Sequence, residues 1–237
     1  MKPREVIRQK APKAYMLMKR LKRFRQWCST PQTVFTNIYK KRGFGDAESA
    51  SGPGSSLEET AQIRKELPGV IKRLGIATLL DVPCGDLHWM KEVDLGLQKY
   101  IGADIVGELI QQIRRHYGCV GREFLVLDII RDPIPKADAI LCRDCLLHFS
   151  FSHIMKALNN LRNSGAHYFL TTTYVKHSRN EDIVTGQGHL LNLRLAPFNF
   201  PEPLILIDER SKRSIDRSGG KSLGVWEFAQ LGHLPPK

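Results

Sequence analysis

Three short apolar runs, each ending on an aspartate, constrain this chain more than anything else in it: TLLD at 78–81, YIGAD at 100–104 and FLVLD at 124–128. Runs this short, bounded by turn formers, read as buried strands. Helical patterns alternate with them, at 108–117 with Leu109, Ile110 and Ile113 on one face, and at 151–161. Further strands are expected at 137–142 and 168–173. Strands separated by helices pair in parallel through right-handed crossovers, so the expected fold is α/β, a doubly wound, mostly parallel sheet. The runs 204–207 and 223–228 show no helical pattern between them and read as an antiparallel C-terminal strand pair at the far edge.

The first of these strands ends on Asp81 and turns through Val82-Pro83-Cys84-Gly85-Asp86 into Leu87-His88-Trp89-Met90, where a helix is expected to begin. A strand, a glycine turn and a helix N-terminus leave unpaired backbone N–H groups at the carboxyl edge of a sheet, where open α/β folds bind small ligands. Asp104 follows Gly85 at about the 20 residues that separate a glycine turn from a ribose-binding acid. A carboxylate there can accept hydrogen bonds from both ribose hydroxyls. One such acid is commonly a helix cap; three on successive strand ends are hard to explain by capping. The first strand is not followed by G-x-G-x-x-G, which weighs against a dehydrogenase.

With 237 residues, 42% of them hydrophobic, the chain can hold one full-sized core plus extensions. No apolar run approaches the roughly 18 residues of a transmembrane helix. Five scattered cysteines (Cys28, Cys84, Cys119, Cys142, Cys145) without a secretory leader point to a reducing, cytoplasmic setting. Cys142 and Cys145 have C-x-x-C spacing, but no second ligand pair accompanies them, so no structural metal is expected. The net charge of +12 has a single source: 13 Lys/Arg stand against one acid, Glu5, up to Arg42, and the remainder is balanced. Tyr15, Met18, Leu21, Phe24 and Trp27 recur at helical spacing among those basic residues. The segment reads as a helix packed on the domain with a solvated basic face. Sharper readings are attachment to an anionic membrane surface or to RNA through residues 1–42, or an organellar presequence.

Residues 1–45 are therefore taken as a basic helical N-terminal extension and 46–237 as the main domain. Within that span a short helix at 35–39 is broken by Gly43-Phe44-Gly45. The small-residue loop 49–56 is either a linker or a loop lying against a ligand. Ser55-x-x-Glu58 and Ser56-x-x-Glu59 are overlapping capping boxes, predicting a helix to about Glu66 that Leu67-Pro68 interrupts. The long connection between Tyr174 and Glu209 reads as a lid or substrate insertion at about 175–203. Tyr174, His177 and Asn192 are its substrate-binding candidates, because polar groups interleaved with aromatics suit a sugar or another hydroxylated acceptor.

The series LLDVPCGD, YIGADIV, FLVLDIIRDPIPKADAILCRDCLLHF and YFLTTTY, spanning about 79–174, resembles the successive motifs of the class I S-adenosylmethionine-dependent methyltransferases. The resemblance implies a Rossmann-like methyltransferase fold and S-adenosyl-L-methionine as cofactor. It implies that Asp81, Pro83, Cys84 and Gly85 contact the methionine part, Asp104 the ribose, and Asp128 with Ile129 the adenine edge. Residues 143–148 would line the floor near the transferred methyl. Pro83 and Asp86 depart from the family's glycine-rich turn. The pattern IYKKRGFG, SGPGS, DVPCGD with Trp89, and CRDCLLHFSF also resembles a subfamily of predicted methyltransferases.

For a neutral hydroxyl acceptor the reaction needs a base, and His148 is the best placed, with Asp144 orienting it or binding the cofactor amine. Arg143 either pairs with Asp128 or Asp144 or reaches the substrate. The leading expectation is O-methylation of a small-molecule or glycan acceptor. The alternatives are an RNA or protein methyltransferase recruited by the basic arm, and a catalytically silent cofactor-binding module.

Overall fold

The computed structural model describes residues 29–45 and 47–232. The expected basic helix around Tyr15, Met18, Leu21, Phe24 and Trp27 lies outside the described residues. Parallel strands β1 (Thr78–Asp81), β2 (Lys99–Asp104), β3 (Arg122–Val126), β4 (Ala139–Cys142) and β5 (Tyr168–Tyr174) form most of one sheet. Strands β6 (Ile205–Asp208) and β7 (Lys221–Glu227) complete it antiparallel, in the order β3-β2-β1-β4-β5-β7-β6. β7 inserts between β5 and β6, so β6 is the outer edge. Strand order reverses between β1 and β4, the switch point at which such sheets open a crevice.

Both sheet faces are covered, which is why the strands read as continuous apolar runs. Leu79, Leu141 and Leu170 face α2 (Ala61–Arg73) and α3 (Gly107–Tyr117). Leu80, Ile140, Phe169 and Trp226 face α4 (Phe151–Arg162). Asp138 sets the β1–β4 register, its carboxylate accepting the backbone N–H of Ala77 at 2.9 Å and of Thr78 at 2.7 Å. Helix α1 (Pro31–Lys40) starts on a Thr30 cap and lies over α3, with Tyr39 OH donating to Gln112 and Lys40 paired with Glu108. A short α5 (Ser214–Gly219), absent from the sequence pattern, precedes β7.

Four local expectations are corrected. No α-helix follows the Gly85 turn: Leu87 takes a left-handed φ of 58°, Leu87 and Trp89 are buried, and only a 3₁₀ turn (Met90–Glu92) forms. The first crossover therefore brings no helix dipole to the crevice. Pro68 does not interrupt its helix, because Ile63, Leu67, Val70 and Ile71 bury one continuous face and outweigh the roughly 3 kcal/mol proline penalty. That helix begins only at Ala61: Ser56 accepts from Glu59 N, but the Glu59 carboxylate is bonded to Ser211 Oγ and Lys212 N instead of completing the box. Asp128 lies two residues beyond β3, in a turn closed by Ile130 N–H donating to its carboxylate at 2.9 Å.

Candidate active site

A cavity of about 420 Å³ opens at the carboxyl ends of β1, β2 and β4. Its lining includes Asp81, Pro83, Cys84, Gly85, Asp104, Asp128, Ile129, Arg143, Asp144, His148 and Tyr174, so most of the expected site residues share one space. His177 and Asn192 are not among the lining residues. Asn192 is buried and holds the 175–203 insertion together, donating to His177 O at 2.9 Å while its backbone N–H donates to Asn180 Oδ1 at 2.9 Å. Of that insertion only Gly188, His189 and Leu190 reach the cavity.

Gly85 is positive in φ, and a Cβ there would overlap Ser51 Oγ, so the turn and the 49–55 loop close on each other only with glycine at this position. Asp86 fastens that loop. Its carboxylate accepts from Ala50 N at 2.7 Å, Ser49 Oγ at 2.9 Å and Ser51 Oγ at 3.3 Å. An acid where the family pattern favours glycine is thus explained: the small-residue loop lies over the cavity and Asp86 is its anchor. Phe35, Tyr39 and Phe44 complete the roof, so the cavity draws on residues from both sides of position 45.

Asp104 is buried, and burial raises its carboxyl to about 6 against the opposing pull of the Val106, Gly85 and Ile105 amides. Val106 N–H donates to Oδ1 at 2.9 Å. Burial likewise raises Asp81 to about 7, although Tyr100 OH donates to its Oδ2 at 2.5 Å and Arg143 also favours the charge. Two buried acids raised towards neutrality at a strand-tip crevice make this crevice the candidate site.

Beyond the turn three buried charges, Arg143, Glu209 and Lys221, interlock with the half-buried Asp144. Arg143 bonds Glu209 at 2.6 Å and Asp144 at 3.2 Å, and Lys221 bonds Asp144 at 2.7 Å and Glu209 at 3.4 Å. Arg143 also donates to Gly54 O at 2.8 Å and stacks 5.5 Å from the Trp89 ring, tying the roof loop to the floor. Arg143 pairs with Asp144 rather than Asp128. Burial opposes the Asp144 charge, but Arg143 and Lys221 override it and hold the carboxyl well below the usual range. Asp144 takes a left-handed φ of 51°, a strained backbone of the kind that clusters at functional sites.

His148 is oriented by the Gln187 carbonyl, 2.9 Å from Nδ1, and no hydrogen bond to Asp144 is formed. A carbonyl only accepts, so Nδ1 carries the proton of the neutral ring and Nε2 keeps the lone pair. Burial lowers the His148 pKa, and Phe44 packs 5.0 Å from the ring. Tyr174 OH donates to Asp216 at 3.1 Å. Cys142 and Cys145 are buried free thiols. Among the described residues, no group of three or more His, Cys, Asp or Glu could hold a metal ion.

The site contributors not singled out from the sequence are Asp86, Tyr100, Glu209, Asp216, Lys221 and the roof aromatics. Phe44 and the loop had a signal, the FG and SGPGS strings beside the motif series; Glu209 and Lys221, on the two late strands, had none. Formal charge over the cavity lining is six carboxylates (Asp81, Asp86, Asp104, Asp128, Asp144, Asp216) against Arg143, Arg213 and Lys221. The cavity is acidic inside a basic protein.

No protein-family model matches the chain, and no curated protein matches it. Among solved structures, the methyltransferase domain of bacterial CtHen1-C superposes at a TM-score of 0.54 with 11% identity, over 71% of this chain and 98% of that one. The CtHen1-CN form of the domain gives 0.53 and 12% identity over the same shares. Human N-acetylserotonin methyltransferase aligns at 0.44 and 15% identity, over 71% of this chain and 51% of its own. With strand order, antiparallel pair and crevice together, the chain has the Rossmann-like fold of the class I S-adenosylmethionine-dependent methyltransferases.

Proposed function

We propose that this protein is an S-adenosylmethionine-dependent methyltransferase that O-methylates a small polar or glycan-type acceptor. The observation that carries the reading is one cavity lined by Asp81, Gly85, Asp104 and Asp128 around a roofed turn, with His148 lining the same space. The residues fit the cofactor: Asp104 is a buried acceptor for a diol at a strand tip, and the acidic walls complement a sulfonium and an ammonium. Bound there, the cofactor supplies a methyl group already activated by its sulfonium.

The protein's own part is alignment and proton removal. Asp104 accepts the two ribose hydroxyls, Asp128 and Ile129 meet the adenine edge, and the 50–55 loop with Phe44 shuts out water. Holding an acceptor in line is worth roughly 7–11 kcal/mol. His148 Nε2 takes the hydroxyl proton as the acceptor oxygen becomes an ether oxygen. Asp144, kept ionised by Arg143 and Lys221, is unsuited to act as the base and offers a fixed negative charge instead. The acidic lining disfavours entry of a polyanion, so the RNA alternative has less support than a neutral acceptor.

The test is label transfer from methyl-labelled cofactor to cell extracts separated into lipid, glycan, RNA and protein pools. Label in the glycan or small-molecule pool is expected, and label only in RNA or protein would overturn the acceptor assignment. His148→Ala should keep S-adenosylhomocysteine affinity and lose about 10²–10⁴-fold in turnover. Unchanged turnover would remove His148 from the mechanism.

A further inference from the structure

Tyr100 opens the YIGADIV string and stands outside the cavity lining, yet it makes a direct contact with Asp81 at the head of the cofactor turn. On β2 it lies opposite Leu79, two residues before Gly102, which is opposite Asp81. A Cβ on Gly102 would come within 3.1 Å of the Tyr100 ring and 2.7 Å of Phe124. Bare Gly102 therefore leaves the lane along which the phenol reaches Asp81. The hydroxyl donates to Asp81 Oδ2 at 2.5 Å with both side chains buried. With Oδ2 engaged, Oδ1 of this cavity-lining carboxylate is left for a ligand.

We propose that Tyr100 is a positioning residue that holds the Asp81 carboxylate in place as the receptor for the ammonium group of the cofactor's methionine part. The inference rests on the methyltransferase reading above. The charged and titratable groups around the pair come from four places: Tyr100 and Asp104 from β2, Arg143 from the end of β4, Cys84 from the turn, and Arg122 from β3 beside Tyr100. Burial and the Asp81 charge push the phenol well above 10, so it remains a donor throughout the working pH range. Burial and Asp104 oppose ionisation of Asp81, while Tyr100 and Arg143 favour it, and the balance falls at about 7. Removing the hydroxyl leaves Arg143 alone on the favourable side. Asp81 then titrates higher, and ammonium-dependent affinity is lost from a higher pH downward.

Two measurements on the full chain test this. In the first, carboxyl ¹³C shifts of aspartate-labelled protein are titrated, with Asp81→Asn identifying the Asp81 resonance. Tyr100→Phe should raise its midpoint by about one pH unit or more. In the second, calorimetry follows S-adenosylhomocysteine and methylthioadenosine, which lacks the amino-acid part, from about pH 5 to about pH 9. Wild-type affinity for S-adenosylhomocysteine should rise through about pH 7, with Tyr100→Phe roughly tenfold weaker there and converging at high pH. Methylthioadenosine should bind both proteins alike.

An unmoved Asp81 midpoint, or equal loss of both ligands in Tyr100→Phe, would overturn the proposal while leaving the methyltransferase reading intact. Wild-type protein that binds neither ligand at any pH would overturn that reading and the proposal with it. Should Tyr100→Phe not fold, 3-fluorotyrosine incorporation strengthens the donor and should lower the Asp81 midpoint; no movement would overturn the proposal.

Discussion

Asp104 shows what burying an acid costs in stability. Its buried carboxyl is raised to about 6 from an unfolded value of 3.8, so the folded state holds the proton more tightly than the unfolded chain does. Its contribution is therefore most favourable below about pH 4 and is lost as pH rises through about 6. Asp104→Asn should raise the melting temperature of the ligand-free protein at pH 8 by roughly 2–4 °C for each kcal/mol recovered. The same change should weaken S-adenosylhomocysteine binding by about 100-fold, because the amide keeps one neutral acceptor oxygen and turns the second acceptor into a donor. A variant that is less stable at pH 8, or that binds normally, would refute the role given to Asp104. The acid was legible in the sequence because it ends an apolar run at the right distance from Gly85. Its proton affinity was not legible, because that depends on which neighbours the fold buries beside it.

Among elements, the 49–55 loop shows what a local pattern leaves open. SGPGS has the composition of a linker, and composition alone does not say what such a loop touches. Asp86 supplies the answer through contacts that cross 35 to 37 residues of sequence. Asp86→Ala should release the loop: deuterium uptake at 49–55 should rise and S-adenosylhomocysteine should dissociate about tenfold faster, by roughly one charge-assisted hydrogen bond. Unchanged exchange would show that the Asp86 carboxylate is not what holds the loop. α2 makes the complementary case. A proline reads locally as a break, yet four buried side chains on one face carry the helix through it. The turn after Gly85 errs the other way, where a helix-like string folds back because Leu87 and Trp89 are drawn into the core.

At the scale of the whole molecule, charge is separated: the excess of positive charge lies in the first 42 residues, and the cavity lining is acidic. Such a lining favours a ligand carrying positive charge at the reacting centre over one that has lost it. Sinefungin, with an amine where the sulfonium methyl group stands, should bind several-fold more tightly than S-adenosylhomocysteine near pH 8, measured by calorimetry. Equal affinities would mean that the carboxylates are neutralised by their neighbours. Among the described residues, no helix is long and apolar enough to cross a membrane.

The sequence by itself determined the α/β class, the parallel strands, the antiparallel pair and the strand-tip acids Asp81 and Asp104. Those features rest on local periodicity and on short spacings between strand, turn and acid. Only the tertiary structure decided that Asp86 anchors the roof, that Gln187 rather than Asp144 orients His148, and that Lys221 and Glu209 meet Arg143 and Asp144. These contacts join residues from about 35 to about 80 positions apart, and nothing in either local string encodes its partner. The chain's path over the sheet brings them together, because burial of the apolar faces fixes that path and the charged side chains must then pair where it leaves them.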